Sequence, residues 1–169
     1  MKKYILLVII QATLIYSHQV VENLNIEKFM GRWYVISLIP NWIEEGGTNS
    51  FDDYKLNKDG TIDITYNTIK NNEIKTIKQK GIIVDKNQPS RWEIKFIKPW
   101  IPFFKAPYEV IVLDSNYNYM AVGYPDNTYG WIMSRDTYII DSTYNQITDT
   151  LEKKFGYKKN DFKKVLHTK

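Results

Sequence analysis

Gly31-Arg32-Trp33-Tyr34-Val35-Ile36-Ser37-Leu38 decides the fold. A glycine, one free position and a tryptophan lead into β-branched and aromatic residues, a composition that suits an extended strand. Pro40 then ends it, because proline cannot donate to a strand ladder. Far downstream stands a second tryptophan stretch, Gly130-Trp131-Ile132-Met133-Ser134-Arg135. The two read as partners. Trp33 plugs the closed end of a β-barrel, Arg135 lies over the plug, and the residues between them build the walls.

The chain on either side fits that reading. Upstream, Asn25 caps a short helical turn, with Ile26, Phe29 and Met30 spaced to lie against the closed end. Downstream, residues 48–57 form a strand and Lys58-Asp59-Gly60 a tight hairpin turn. Residues 61–69 alternate Ile62, Ile64 and Tyr66 with polar residues. Residues 74–84 alternate Ile77, Gln79, Gly81 and Ile83 with Lys78 and Lys80, Gly81 marking a bend or close packing. Residues from 91 alternate Trp92, Ile94 and Phe96 with Arg91, Glu93 and Lys95. Further strands follow at 108–113, 119–124 and 129–135, giving eight antiparallel strands joined mostly by short turns. Many short alternating strands predict a sandwich or a barrel. The period then changes. Tyr144, Ile147, Leu151 and Phe155 recur at helical steps, capped by Asp141 or Ser142 and stopped by Gly156. Phe162, Val165 and Leu166 supply a short terminal element.

The first 17 residues read as a signal peptide: Lys2 and Lys3, an apolar run from Tyr4 to Ile10 and beyond, and Ser17 before the cleavage point. Residues 18–169 then form one domain. The formal charge of +4 becomes +2 without Lys2 and Lys3, too little for a nucleic-acid partner. The Lys153-Lys154, Lys158-Lys159 and Lys163-Lys164 pairs read as a solvated face, with anionic lipid as the alternative. The sequence has no cysteine, so an exported chain must hold together by its core. That also excludes a lipidated cysteine, a thiol nucleophile and thiolate metal sites. Either the periplasm or the extracellular space fits.

Gly31-x-Trp33 after a helical turn, Leu113-Asp114-Ser115-Asn116-Tyr117 between the sixth and seventh strands, and Arg135 at the end of the eighth together resemble the three motifs of the lipocalin family. The phrases Gly31-Arg32-Trp33-Tyr34, Tyr108-Glu109-Val110-Ile111-Val112-Leu113-Asp114 and Trp131-Ile132-Met133-Ser134-Arg135 are most similar to bacterial outer-membrane lipocalins and apolipoprotein-D-like lipocalins. The resemblance implies an eight-stranded antiparallel up-and-down barrel with one α-helix packed outside. It makes Gly31, Trp33, Asp114 and Arg135 structural residues of the closed end. It implies carriage of a small hydrophobic ligand, such as a fatty acid or lysophospholipid, in the service of membrane or envelope maintenance.

An eight-stranded barrel is just wide enough to hold one small ligand. Strand parity assigns Tyr54, Ile64, Ile77, Ile83, Trp92, Ile94, Tyr108, Val110, Met120, Val122, Trp131 and Met133 to the ligand wall. Ile62, Tyr66, Phe96 and Val112 share that parity, with Trp33 and Tyr66 closing the lower half. Ser50, Asp52 and Gln79 are the polar residues of the inner set. Asp52 faces inward if its strand keeps phase from Leu56 and Tyr54. The expected arrangement is instead a bulge that returns Asp52 to water and turns Phe51 in.

Alternate loops share one rim, and one rim is aromatic: Trp42 with Ile43, then Trp100, Ile101, Phe103 and Phe104, then Tyr129. That rim is the mouth, either a lid or a peripheral membrane contact. The other rim has tight polar turns. Catalysis lacks support: His18 and His167 lie at the two ends of the mature chain, and no nucleophile or phosphate-binding motif appears. No metal or other cofactor is implied. The alternatives to a carrier are a lipid-modifying enzyme using Glu44, Glu45 or Asp52, and an interaction module that grips a membrane or protein with its aromatic rim.

Overall fold

The computed structural model describes residues 18–168 except Phe103. The expected signal peptide therefore lies outside the described residues. The elements are α1 (Ile26–Phe29), β1 (Gly31–Leu38), β2 (Thr48–Leu56), β3 (Ile62–Lys70), β4 (Glu73–Ile83), β5 (Arg91–Lys98), β6 (Lys105–Leu113), β7 (Tyr119–Gly123), β8 (Gly130–Ser134), α2 (Asp141–Phe155) and β9 (Lys163–Lys164). Consecutive strands from β1 to β8 pair antiparallel, and β8 returns to β1, so the eight-stranded barrel closes. The two-residue β9 adds to β1 at Ser37 and Leu38.

Two clusters of apolar side chains stabilise this shape. Inside the barrel, Phe29, Trp33, Val35, Ile62, Trp92, Val110, Met120 and Val122 are among the buried residues of the first. Outside it, Ile147 and Leu151 of α2 pack on Ile111, Ala121 and Ile132 of β6, β7 and β8, with Tyr157 and Phe162. The helical period of α2 thus meets one outer face of the barrel, which removes that face from water.

Some boundaries differ from the sequence reading. The sixth strand begins at Lys105 rather than 108, because β5 offers partners as far as Lys95 opposite Lys105. The cap of α2 is Ile140, which makes no side-chain cap bond, and Asp141 is already helical. Its charge still complements the helix N-terminus. Val112 does not face the interior. A register shift between Val110 and Val112 against β7 adds one residue to β6. Val112 therefore packs with the outer cluster, while Leu113 joins the inner one.

Candidate functional site

The two halves of the barrel are built differently. At the base, α1 delivers Phe29 into the interior, where its ring meets Trp33 at 5.4 Å, Trp92 at 5.2 Å and Tyr54 at 5.6 Å between centroids. Trp92 stacks on Tyr108 at 4.8 Å. Gly81 makes room for this layer: a Cβ there would stand 3.2 Å from the Trp92 ring. Trp33 Nε1 donates to the Phe29 carbonyl at 2.8 Å.

The Arg135 guanidinium covers the plug from below, its Cζ 3.8 Å from the Trp33 ring centroid. Its Nη1 donates to the Arg32 carbonyl at 2.8 Å, and Nη2 to those of Lys28 at 2.8 Å and Phe29 at 3.1 Å. Gly31 has φ +94°, and a Cβ on it would meet Arg135 Nη1 at 3.4 Å, so both backbone and space favour glycine. Asp114 Oδ2 accepts from the backbone N–H groups of Asn116 and Asn118, each at 3.2 Å, and holds the β6–β7 turn.

Above this layer lies a cavity of about 150 Å³. Of the wall expected from parity, Tyr54, Ile64, Ile77, Ile94, Tyr108, Trp131 and Met133 line it, as do Tyr66, Phe96 and Gln79. The remaining members of that wall do not. Trp92, Val110, Met120 and Val122 are buried in the solid lower core and Ile83 packs against it. Parity says which face a residue is on, and not how high the filling rises. Tyr66 is likewise a wall residue rather than part of the plug, its hydroxyl donating to Ser50 Oγ at 3.3 Å.

Asp52 lines the cavity, against the expected bulge. The register irregularity in β2 falls between Thr48 and Phe51, too early to flip it, and pairing with β3 runs unbroken from Leu56 to Phe51. Phe51 faces outward instead, under the Arg32 guanidinium at 3.8 Å. The β1–β2 loop brings a second acid. Glu44 Oε2 accepts from Trp131 Nε1 at 2.8 Å and from the Asn41 side-chain amide. Glu45 is not part of the lining.

The polar network inside is short. The Tyr54 hydroxyl donates to Asp52 Oδ2 at 3.3 Å and lies 2.9 Å from the Tyr108 hydroxyl. Among the described residues, Asp52 Oδ1 and the Gln79 side chain have no hydrogen-bond partner in the protein. Both acids keep some accessible surface, and they keep it as part of the cavity wall. Burial, and then the charge of Glu44, push the Asp52 carboxyl up to about 8. Burial also raises Glu44, against the hydrogen bonds from Asn41 and Trp131.

At the mouth, Trp42, Phe104 and Tyr129 line the cavity, whereas Trp100 does not. Trp42 and Trp100 are 73% and 74% exposed, so neither folds in as a lid. Phe103 lies outside the described residues. The histidines are elsewhere. His18 lies against Glu109 and Asn127, and His167 against the Val35 carbonyl. Of the cavity's polar residues, the sequence marks Glu44 only as a candidate catalytic acid and gives no sign of Asn41 or Tyr124. They sit in loops, where no two-residue period marks a direction.

Residues 24–167 match the family described as the lipocalin-like domain. The chain is 32% identical over 136 residues to temperature-induced lipocalin-1 of Arabidopsis thaliana, covering 78% of this chain and 73% of that protein. It is 30% identical over 128 residues to the outer membrane lipoprotein Blc of Citrobacter freundii, covering 76% and 71%. In fold it is similar to insecticyanin from the tobacco hornworm Manduca sexta, with a TM-score of 0.71, 17% identity, and coverage of 90% of this chain and 86% of that one.

Proposed function

Because the chain belongs to the lipocalin family, we propose that it is an exported carrier that holds one small hydrophobic ligand in its barrel. The ligand belongs to the single-chain amphiphiles, the class that includes fatty acids and lysophospholipids, and its carriage serves membrane upkeep. The observation that carries this reading is the cavity of about 150 Å³ over a sealed aromatic base. Its walls are mainly apolar and aromatic, and burying ligand surface there gives about 25 cal/mol per Å², less the cost of association.

The exposed Trp42 and Trp100 at the mouth support peripheral contact with a membrane, where indole rings favour the interface. Export is supported from an unexpected side. The His18 backbone nitrogen donates to the buried Glu109 carboxylate at 3.1 Å. Cleavage after Ser17 would put a positive α-amino group at that place. An intact mass beginning at His18 in the secreted or periplasmic fraction is the expected result.

Binding rather than catalysis is supported by the site's chemistry: both described histidines lie outside the cavity, and among the described residues no serine, threonine or lysine lines it. Native mass spectrometry of protein purified from its own host, followed by lipid extraction, tests the carrier reading. A stoichiometric single-chain amphiphile is expected. A clean apo mass, with Trp131 fluorescence unmoved by every amphiphile titrated, would overturn it.

A further inference from the structure

The polar end of the cavity selects the charge of its ligand. Among the described residues, its lining contains two carboxylates, Glu44 and Asp52, and no lysine, arginine or histidine. Glu44 already accepts two hydrogen bonds, whereas Asp52 receives only the long one from Tyr54 and leaves Oδ1 without a protein partner. Aromatic side chains line the cavity around the pair, including Tyr66 and Tyr108, with Trp131 donating its N–H to Glu44 and Tyr54 its O–H to Asp52. Two carboxyl groups with no cation beside them offer an anionic head no counter-charge, whereas an ionised carboxylate there offers one to a cation.

Resting on the carrier reading above, we infer that the ligand enters head first and that its head is a compact ammonium group, paired with Asp52. A fatty-acid carboxylate in the same place would face two acids and no cation. The reverse orientation would leave Asp52 Oδ1 and Gln79 against methylenes, still without partners. The cavity volume suits a head and its first few carbons, since an apolar cavity of about 150 Å³ holds a molecule the size of benzene. The rest of the tail would leave past Trp42, Phe104 and Tyr129, which line the same opening.

The acids that face Asp52 make the pairing a proton exchange. Glu44 from the β1–β2 loop, Tyr54 from β2, Tyr66 from β3 and Tyr108 from β6 surround it, and the charge of Asp53 beside it adds to theirs. In the empty barrel near pH 7, Asp52 holds its proton, because burial pushes its carboxyl up to about 8. An arriving ammonium ion stabilises the carboxylate, so the proton leaves Asp52 for the buffer as the N⁺–H···O⁻ bond forms.

Octylammonium, 1-octanol and octanoate, used below their micellar concentrations, share one tail and differ in the charge of the head. Isothermal titration of the full mature protein should rank octylammonium at least about tenfold tighter than octanol, a step of about 1.4 kcal/mol, with octanoate weakest. Repeating the octylammonium titration at pH 7 in buffers of different ionisation enthalpy should show release of a proton. Asp52→Asn should bring octylammonium to within about twofold of octanol, both measured on the variant, and remove the proton release, while an unchanged near-ultraviolet circular dichroism spectrum shows the barrel intact. Glu44→Gln should lower the ammonium preference by a smaller factor. Octanoate binding as tightly as octylammonium, or an ammonium preference that survives Asp52→Asn, would overturn the inference and leave the carrier reading standing. Failure of all three octyl compounds to bind would remove both.

Discussion

The base and the mouth half of this barrel use the same residue types to opposite ends. At the base, Trp33, Phe29 and Trp92 fill the interior, and the Arg135 guanidinium finds carbonyl acceptors in Arg32, Lys28 and Phe29. In the mouth half, Trp131 and Tyr66 line space rather than fill it, and two acids sit among them, of which Asp52 has little to bond. One half stabilises the fold. The other gives up stability to keep a cavity and an uncompensated carboxyl group, which is how a site prepared for a ligand differs from a core.

Substitutions should separate the two halves. The largest loss belongs to the base: Trp33→Ala should destabilise by ~3–5 kcal/mol, as for other fully buried tryptophans, seen as a lower urea midpoint. Arg135→Met comes next, losing its charged hydrogen bonds and the contact over Trp33, about 2–3 kcal/mol. In that variant the relative affinities of the octyl compounds should not change.

Asp52→Asn should move the other way. Removing the buried acid should raise the stability of the empty protein by ~1–2 kcal/mol at pH 8. A loss of stability there would mean that Asp52 belongs to the structural half. The smallest effect is at the rim. Trp42→Ala and Trp100→Ala should change stability by no more than about 0.5 kcal/mol, and should weaken flotation with lipid vesicles.

The pH dependence has a definite sign. The unfolded chain releases the Asp52 proton near the ordinary carboxylate value, while the folded chain keeps it up to about 8. Across that window the folded state binds more protons, so stability falls as pH rises. The raised Glu44 acts in the same direction. His18 does too. Burial pulls its pKa down, but the bonds to Glu109 and Asn127 outweigh that and leave it raised. Its contribution is whole below about 6.5 and fades as pH climbs through the folded value. Urea titrations from pH 5 to pH 9 should show this decline, and Asp52→Asn should flatten it.

Much of this molecule was legible in its residues. Alternation with period two located the eight strands within a few positions, and the change to a helical period located α2. Gly31, Trp33 and Arg135 pointed to a closed end through the resemblance to the lipocalins, and the structure supplies the physical reason: a left-handed backbone at Gly31 and a guanidinium over an indole. The direction of Asp52 was not legible. It turned on whether an irregularity in β2 fell before or after Phe51, and backbone pairing with β3 decides that. Nor could the sequence tell Trp92 and Val110, which are core, from Ile94 and Tyr108, which are wall. All four obey the same alternation.

The residues alone therefore determined the strands, the helix and which rim is tight and polar, because periodicity and turn chemistry act between near neighbours, while the choice of a closed barrel over a sandwich came with the lipocalin motifs. Only the tertiary structure decided how high the filling rises and that Glu44 and Asp52 share one cavity. That depends on a loop folding back over a strand, a contact between residues whose spacing carries no period.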